Sequence, residues 1–272
     1  MVTSFTPRTL DDALRLRSAP GLVPYTGGTD LMVRPNLSAS YLFLNKIPEM
    51  RKITQDDDYI RFGAACTFAE VASHPLTPAI LREACLSVAA PAIRNVGSVG
   101  GNIANGSAKA DSALVFMATD SLLRLASAQG ERILPLKDFY LGRKKTALAD
   151  DELLVEILMP RRDYDNYSYT KVGARGALAI SRVSFAGVLE IAEGKIAHCA
   201  TAFGAVCDVI LRPSEIDAML IGNTVAGARG QKAAYLQAMG EAIVPIRGRV
   251  GIQYRKDVCM ALLRDFLETN GL

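Results

Sequence analysis

Between residues 93 and 113 the chain reads IRNVGSVGGNIANGSAKADSA, and no other stretch narrows its possible architecture so far. Gly97, Gly100, Gly101 and Gly106 alternate with Asn95, Asn102, Asn105, Ser98 and Ser107. Glycines let a ligand approach the main chain and expose N–H groups that can cradle phosphate oxygens, while the amides and hydroxyls add neutral donors. Asp111, just beyond, is placed to accept from a ribose or ring hydroxyl. A second bare stretch, TGGTDLMVRP from Thr26, follows a short apolar run. Alone, its Gly27-Gly28 pair signals no more than a turn. Two separate loops of this kind suggest a pyrophosphate gripped from two sides, or else a pair of ordinary structural loops. The residues by themselves leave both readings open. Neither loop is a G-x-G-x-x-G dinucleotide fingerprint or a G-x-x-x-x-G-K-[ST] phosphate loop, so those two architectures are excluded.

The rest of the chain predicts an α+β fold. Thr9 with Asp12 predicts a helix cap, and Thr67 with Glu70 a capping box whose helix Pro75 ends. Thr77-Pro78 opens another helix that stops before Pro91. Residues 22–25, 41–44, 59–64 and 152–158 read as strands. Residues 122–125 and 132–136 form a hairpin, as do 184–191 and 196–202. Residues 114–119 read as helical, and helices are expected over 213–221, 230–242 and about 253–267. Strands and helices do not alternate strictly, and the polar segment RRDYDNYS at 161–168 reads as a boundary. The expected domains are 1–163, with subdomains of about 1–54 and 55–163, and 164–272.

Charge and chemistry narrow the function. A net charge of +3 over 272 residues, with no Lys/Arg run, argues against a nucleic-acid partner. No stretch of about 18 apolar residues predicts a membrane span, and the amphipathic N-terminus lacks a signal-peptide core, so the chain reads as cytoplasmic. Its five cysteines are dispersed with no C-x-x-C pair, which gives no metal or cluster signature. With only two histidines, His74 and His198, acid–base machinery is scarce.

YTGGTDLMVRP resembles the AGGTDLL loop of the flavin-binding medium subunits of molybdenum hydroxylases, the xanthine dehydrogenase and aerobic carbon monoxide dehydrogenase family. The 93–113 stretch resembles their second loop, QIRNVGTIGGNICNASPxADxxP. KVGARGALAISRVSFAGVLE at 171–190, TAFGAV at 201–206 and YRKDVCMALL at 254–263 are similar to their C-terminal domain. The resemblance implies two small subdomains sandwiching FAD in the vanillyl-alcohol-oxidase-like manner, followed by a domain of sheet and helices. It implies an oxidoreductase subunit whose FAD takes electrons from a [2Fe–2S] small subunit, supplied by a molybdopterin-binding large subunit, and passes them to NAD, oxygen or another acceptor.

By position, the resemblance places Thr26, Gly27, Gly28, Thr29, Asp30 and Leu31 along the FAD pyrophosphate and ribityl chain. Ser98, Gly101, Asn102 and Asn105 form the second grip, with Ser107 beside them and Asp111 on the adenosine side. Leu154 or Val155 touches the adenine or ring edge through backbone groups. Lys171 lies near the flavin's polar edge, where a cation favours the anionic reduced ring. Asp30 and Asp111 also stand where a helix N-cap is permitted. This chain departs from the family in CDVILR at 207–212, which lacks a proline pair, and in Arg247-Gly-Arg249, which lacks an acid. Two other readings are a free-standing flavin oxidoreductase of the same fold, which needs its own base, and a flavin-free scaffold.

Overall fold

The computed structural model describes residues 3–248 and 250–272. Met1 and Val2, at the head of the amphipathic N-terminus, and Arg249 of the Arg247-Gly-Arg249 element lie outside the described residues. In chain order, helix α1 (Leu10–Arg17) precedes strands β1 (Leu22–Tyr25), β2 (Ser40–Phe43), β3 (Ile53–Gln55) and β4 (Tyr59–Gly63). Short helices follow: α2 (Phe68–Ser73), α3 (Ala79–Ser87), α4 (Pro91–Arg94), α5 (Val99–Ala104) and α6 (Asp111–Ala118). Next come β5 (Leu122–Ser127), β6 (Gly130–Pro135), α7 (Leu136–Phe139), β7 (Tyr140–Gly142), β8 (Lys145–Thr146) and β9 (Leu153–Pro160). The remainder is β10 (Asn166–Val172), β11 (Val183–Ala192), β12 (Lys195–Gly204), α8 (Ser214–Asp217), α9 (Val225–Ala242) and α10 (Ile252–Thr269). The fold is α+β, and none of its described helices is long and apolar enough to cross a membrane.

The local signals act as their chemistry dictates. The Thr9 hydroxyl accepts from the Asp12 N–H, and Thr67 with Glu70 forms a reciprocal capping box. The chain divides into two compact units. The first gathers Met1–Thr77, Val88–Gly106 and Ser121–Arg161, and the second Pro78–Ser87, Ser107–Asp120 and Arg162–Leu272.

In the first unit, β9 is the middle strand of an antiparallel sheet ordered β3-β4-β9-β5-β6. Six of its eight residues are buried, the pattern of a strand covered on both faces. A separate parallel pair, β1 and β2, carries the first Gly-rich loop at its edge. There Tyr25 packs edge-on against Tyr41 and Phe43, at 5.6 and 4.9 Å between ring centres.

In the second unit, the sheet is ordered β10-β11-β12. Helix α10 packs on β11, and Phe185 meets Phe203 and Phe266 at ring separations of 5.2 and 5.7 Å. Gly187 fits closely there, because a Cβ would stand 2.9 Å from the Phe185 ring and 3.1 Å from the Phe266 ring. Helix α6 also packs on β11 and β12 and is buried on every side, as a helix with no polar face must be.

Several elements differ from the sequence expectation, among them α5, which reads as loop in the sequence, and the three that follow. Residues 166–168, read as part of a connector, lie in β10, where pairing with β11 overrides their polar composition. The helix expected over 213–221 ends at Asp217, after which the chain tightens into i→i+3 bonds such as Leu220 N–H to Asp217 O. Helix α9 begins at Val225 rather than Gly230 because Thr224 caps it, its hydroxyl accepting from the Gly227 N–H at 3.1 Å.

Asp217 anchors the second unit from the inside. Its buried carboxylate accepts from the Thr201 N–H (2.7 Å), the Thr201 hydroxyl (2.9 Å), the Tyr235 hydroxyl (2.7 Å) and Arg212 Nη1 (2.6 Å). Burial pushes this carboxyl up to about 6, opposed by Arg212 and by the hydrogen bonds it accepts. The Arg212 guanidinium also donates two 3.1 Å bonds to Asp120. Removing one member leaves its partner charged in a dry interior. Asp217→Ala is therefore expected to lower stability by about 3–5 kcal/mol, measured as a shift in the urea midpoint. A loss under about 1 kcal/mol would show that the network is not an anchor.

Candidate cofactor site

The two Gly-rich loops meet in the first unit. The Thr26 and Ser98 hydroxyls are 2.6 Å apart, although 72 residues separate them in sequence. Gly27 lies so close to the other loop that an added Cβ would be 1.8 Å from the Val96 carbonyl oxygen. Gly28 adopts φ +67°, and a Cβ there would strike the Tyr25 phenol. The glycines of the first loop thus serve two ends, contact between loops and a left-handed turn over Tyr25.

The second loop is not irregular throughout. Within it Ser98 caps the short helix α5 by accepting from the Gly101 N–H at 3.1 Å. Gly100 lets α5 lie against Ala64, whose Cβ would stand 2.4 Å from a Cβ at 100. The helix is tied to the sheet by a relay: Gly100 N–H donates to Ala64 O, and Ala64 N–H donates to Val155 O. Val99 N–H donates to Cys66 O. The N–H groups at the start of α5 therefore already have acceptors, contrary to the expectation that this loop exposes main-chain donors.

The first loop is the opposite case. Among the described residues, the main-chain N–H groups of Gly27, Gly28, Thr29 and Asp30 donate to no carbonyl or side chain. The Thr26–Ser98 pair holds two hydroxyl protons and one mutual bond, so one O–H remains for a further acceptor. Gly101 keeps that pair uncovered, since a Cβ at 101 would stand 2.8 Å from Ser98 Oγ and 3.0 Å from Thr26 Oγ1. Open neutral donors beside a bare, close-packed turn fit an anionic group such as a diphosphate.

The other expected residues are placed as follows. Leu31 opens a short 3₁₀ turn, Leu31–Val33, and is exposed with Met32 and Val33. Asp30 stands at the head of that turn, yet its side chain makes no cap bond, so the cap reading fails there. Leu154 and Val155 are buried in β9, and the Val155 carbonyl is the one that holds Ala64. Asn102 lies on α5, and Asn105 follows it, with its amide oxygen accepting from Lys144 at 2.6 Å.

In the second unit, the Ser107 hydroxyl accepts from the Lys109 N–H. Asp111 is in the first turn of α6, where Ala110 is the cap residue, so its side chain is not a cap either. Its carboxylate instead accepts from Lys171 Nζ at 2.6 Å and from the Ser181 hydroxyl at 3.1 Å. Lys171 also donates to Ser87 O at 3.0 Å. Burial raises the Asp111 pKa, and Lys171 opposes it. Lys171 is thus neither a solvated strand lysine nor a lone cation. Its field is that of a compensated ion pair.

Lys144 and Arg212 were not identified from the sequence. Lys144 lies in an otherwise unmarked segment and Arg212 ends the divergent CDVILR stretch, and only contacts in the folded chain single them out.

The chain resembles known proteins over most of its length. A family described as FAD binding domain in molybdopterin dehydrogenase matches residues 1–162, and one described as CO dehydrogenase flavoprotein C-terminal domain matches residues 168–270. The xanthine dehydrogenase FAD-binding subunit of Escherichia coli O157:H7 is 31% identical over 215 residues, covering 75% of this chain and 74% of that protein. The nicotinate dehydrogenase FAD-subunit of Eubacterium barkeri is 28% identical over 269 residues, covering 93% and 90%. Among solved structures, reconstituted CO dehydrogenase from Oligotropha carboxidovorans superposes with a TM-score of 0.86 at 25% identity, covering 98% of this chain and 96% of that one.

Fold and loops together define a flavoprotein subunit of the dehydrogenase type. The chain belongs to the FAD-binding family of molybdopterin dehydrogenases, whose cofactor is FAD.

The contact at Gly27 gives a direct check. Gly27→Ala forces the loops apart and is expected to lower stability by about 1–3 kcal/mol, with loss of retained FAD. Denaturant midpoint and flavin content measured on the same preparation test this. A variant equal to wild type in both would show that the loops do not touch.

Proposed function

We propose that this chain is the FAD-binding, electron-transferring medium subunit of a heteromeric molybdenum hydroxylase of the xanthine dehydrogenase type. The observation that carries this reading is the open set of N–H donors at Gly27, Gly28, Thr29 and Asp30, beside the Thr26–Ser98 hydroxyl pair. In this reading the FAD-binding domain spans 1–163, with subdomains of about 1–54 and 55–163, and the C-terminal domain spans 164–272.

Thr26, Gly27, Gly28, Thr29, Asp30 and Leu31 hold one side of the diphosphate and ribityl chain. Ser98, Gly101, Asn102 and Asn105 hold the other, with Ser107 beside them. Asp111 serves the adenosine end, and Leu154 or Val155 touches the adenine or ring edge through backbone groups. Lys171 stands at the flavin's polar edge, and its pairing with Asp111 tempers the charge it presents. Exposed Leu31, Met32 and Val33 exclude water from the first loop once a ligand covers them. Bound FAD would supply the one chemistry these side chains lack, the storage and relay of electrons.

The partners in this reading are a molybdopterin-binding large subunit and a [2Fe–2S] small subunit, the acceptor is NAD, oxygen or another oxidant, and the complex is cytoplasmic. The scarcity of acid–base residues agrees with a relay role.

The test is the purified chain's absorption spectrum, followed by mixing with its partner subunits. A yellow protein is expected that releases FAD on denaturation, bleaches with the reduced [2Fe–2S] subunit and recovers with NAD⁺, oxygen or another acceptor. A colourless chain that takes up no FAD on reconstitution would overturn the proposal in favour of a scaffold. Bleaching by an organic substrate without partners would favour a free-standing oxidoreductase.

A further inference from the structure

The two loops carry no positive charge of their own. Residues 26–31 and 97–107 contain neither Lys nor Arg, and the first contributes the carboxylate of Asp30. Arg94, on the approach to the second loop, directs its guanidinium to the carbonyls of Val88 and Ala89. A group bearing two negative charges held by neutral donors alone would be poorly compensated.

One cation is built onto this place from another part of the first unit. Lys144 lies in the turn between β7 and β8, at φ +59°, a left-handed conformation unfavourable for a side chain of this size. Its N–H donates to Gly106 O at 3.0 Å, and Gly106 is itself left-handed at φ +61°. A Cβ on Gly106 would stand 3.1 Å from Lys144 Cα, so the turn is pressed directly against the end of the second loop. From that anchor the side chain spans both loops. Lys144 Nζ donates to Asn105 Oδ1 at 2.6 Å and lies 3.6 Å from Asp30 Oδ2. The ammonium and the Asp30 carboxylate are both about half exposed or more, so their attraction is weak and replaceable. Strain held in place by its surroundings, with a charge delivered to a ligand clamp, is the pattern of a positioning residue rather than of a surface ion pair.

We infer that Lys144 is the counter-ion of the FAD diphosphate, held by the Gly106 contact so that its ammonium joins the two loops where the phosphates bind. The inference rests on the clamp reading above and extends it to a residue outside both motifs.

The test compares FAD and riboflavin binding by the full-length wild-type chain, Lys144→Asn and Lys144→Arg, using flavin fluorescence from about 50 to about 500 mM NaCl. Asn tolerates the left-handed turn, and melting curves confirm folding of each variant. At low salt, Lys144→Asn is expected to bind FAD about tenfold more weakly than wild type. Its FAD affinity should also depend less on salt, and its riboflavin affinity should be unchanged. Lys144→Arg should stay within about threefold of wild type for FAD. Wild-type FAD affinity and salt dependence in a folded Lys144→Asn chain would overturn the role of Lys144 and leave the clamp standing. An equal loss of riboflavin and FAD binding would also overturn it, since that marks general damage to the site. A wild-type chain that binds no FAD at any salt concentration would overturn the clamp, and this inference with it.

Discussion

The approach of Gly27 to the Val96 carbonyl is the constraint on which the candidate site depends. Main chain meets main chain there with no space for a single methyl group. That contact brings Thr26 to Ser98, and the hydroxyl pair joins two loops from distant parts of the chain. The relay from Val155 through Ala64 to Gly100 ties the second loop to the middle strand of the sheet. The second loop is therefore rigid and internally bonded, whereas the first keeps its N–H groups open. A clamp built this way has one fixed jaw and one jaw of unused neutral donors, so the charge that balances an anion has to come from outside both loops.

Charge is handled by pairing in both units. Asp217 is balanced by Arg212, which also meets Asp120, and Asp111 is balanced by Lys171. The Arg212–Asp217 and Lys171–Asp111 pairs are largely buried, where an uncompensated charge would cost several kcal/mol. Lys144 contrasts with them, because its contacts to Asp30 and Asn105 are exposed and readily exchanged. The difference separates charges that hold the fold from a charge available to a ligand.

Much of the secondary structure was legible because its causes are local. Thr9 accepts from a residue three positions on, as does Thr67, and the hairpin joining β11 to β12 turns at Glu193 and Gly194. The paired loops were also legible, since glycines and small polar residues are recorded directly in the chain and match the family. Helix α5 was hidden because glycines read as loop, and its stability comes from the Ser98 cap and close packing on Ala64. The strand at 166–168 was hidden because its ladder partners lie in β11. Cap roles for Asp30 and Asp111 were reasonable from position alone, but Lys171 captures one carboxylate and the other makes no cap.

By itself, then, the amino-acid sequence determined the α+β class, the Thr9 and Thr67 caps, the two bare loops and the family to which they belong. Each follows from neighbours a few residues apart or from a motif read in order. Only the tertiary structure decided which loop keeps free donors, that Asp111 and Lys171 share a proton-donating contact, and that Lys144 spans Asp30 and Asn105. Those outcomes depend on distances between residues 39 to 114 positions apart (Asn105 to Lys144, Asp30 to Lys144). Hydrogen bonds and ion pairs act over a few ångströms, so chain order alone does not reveal them.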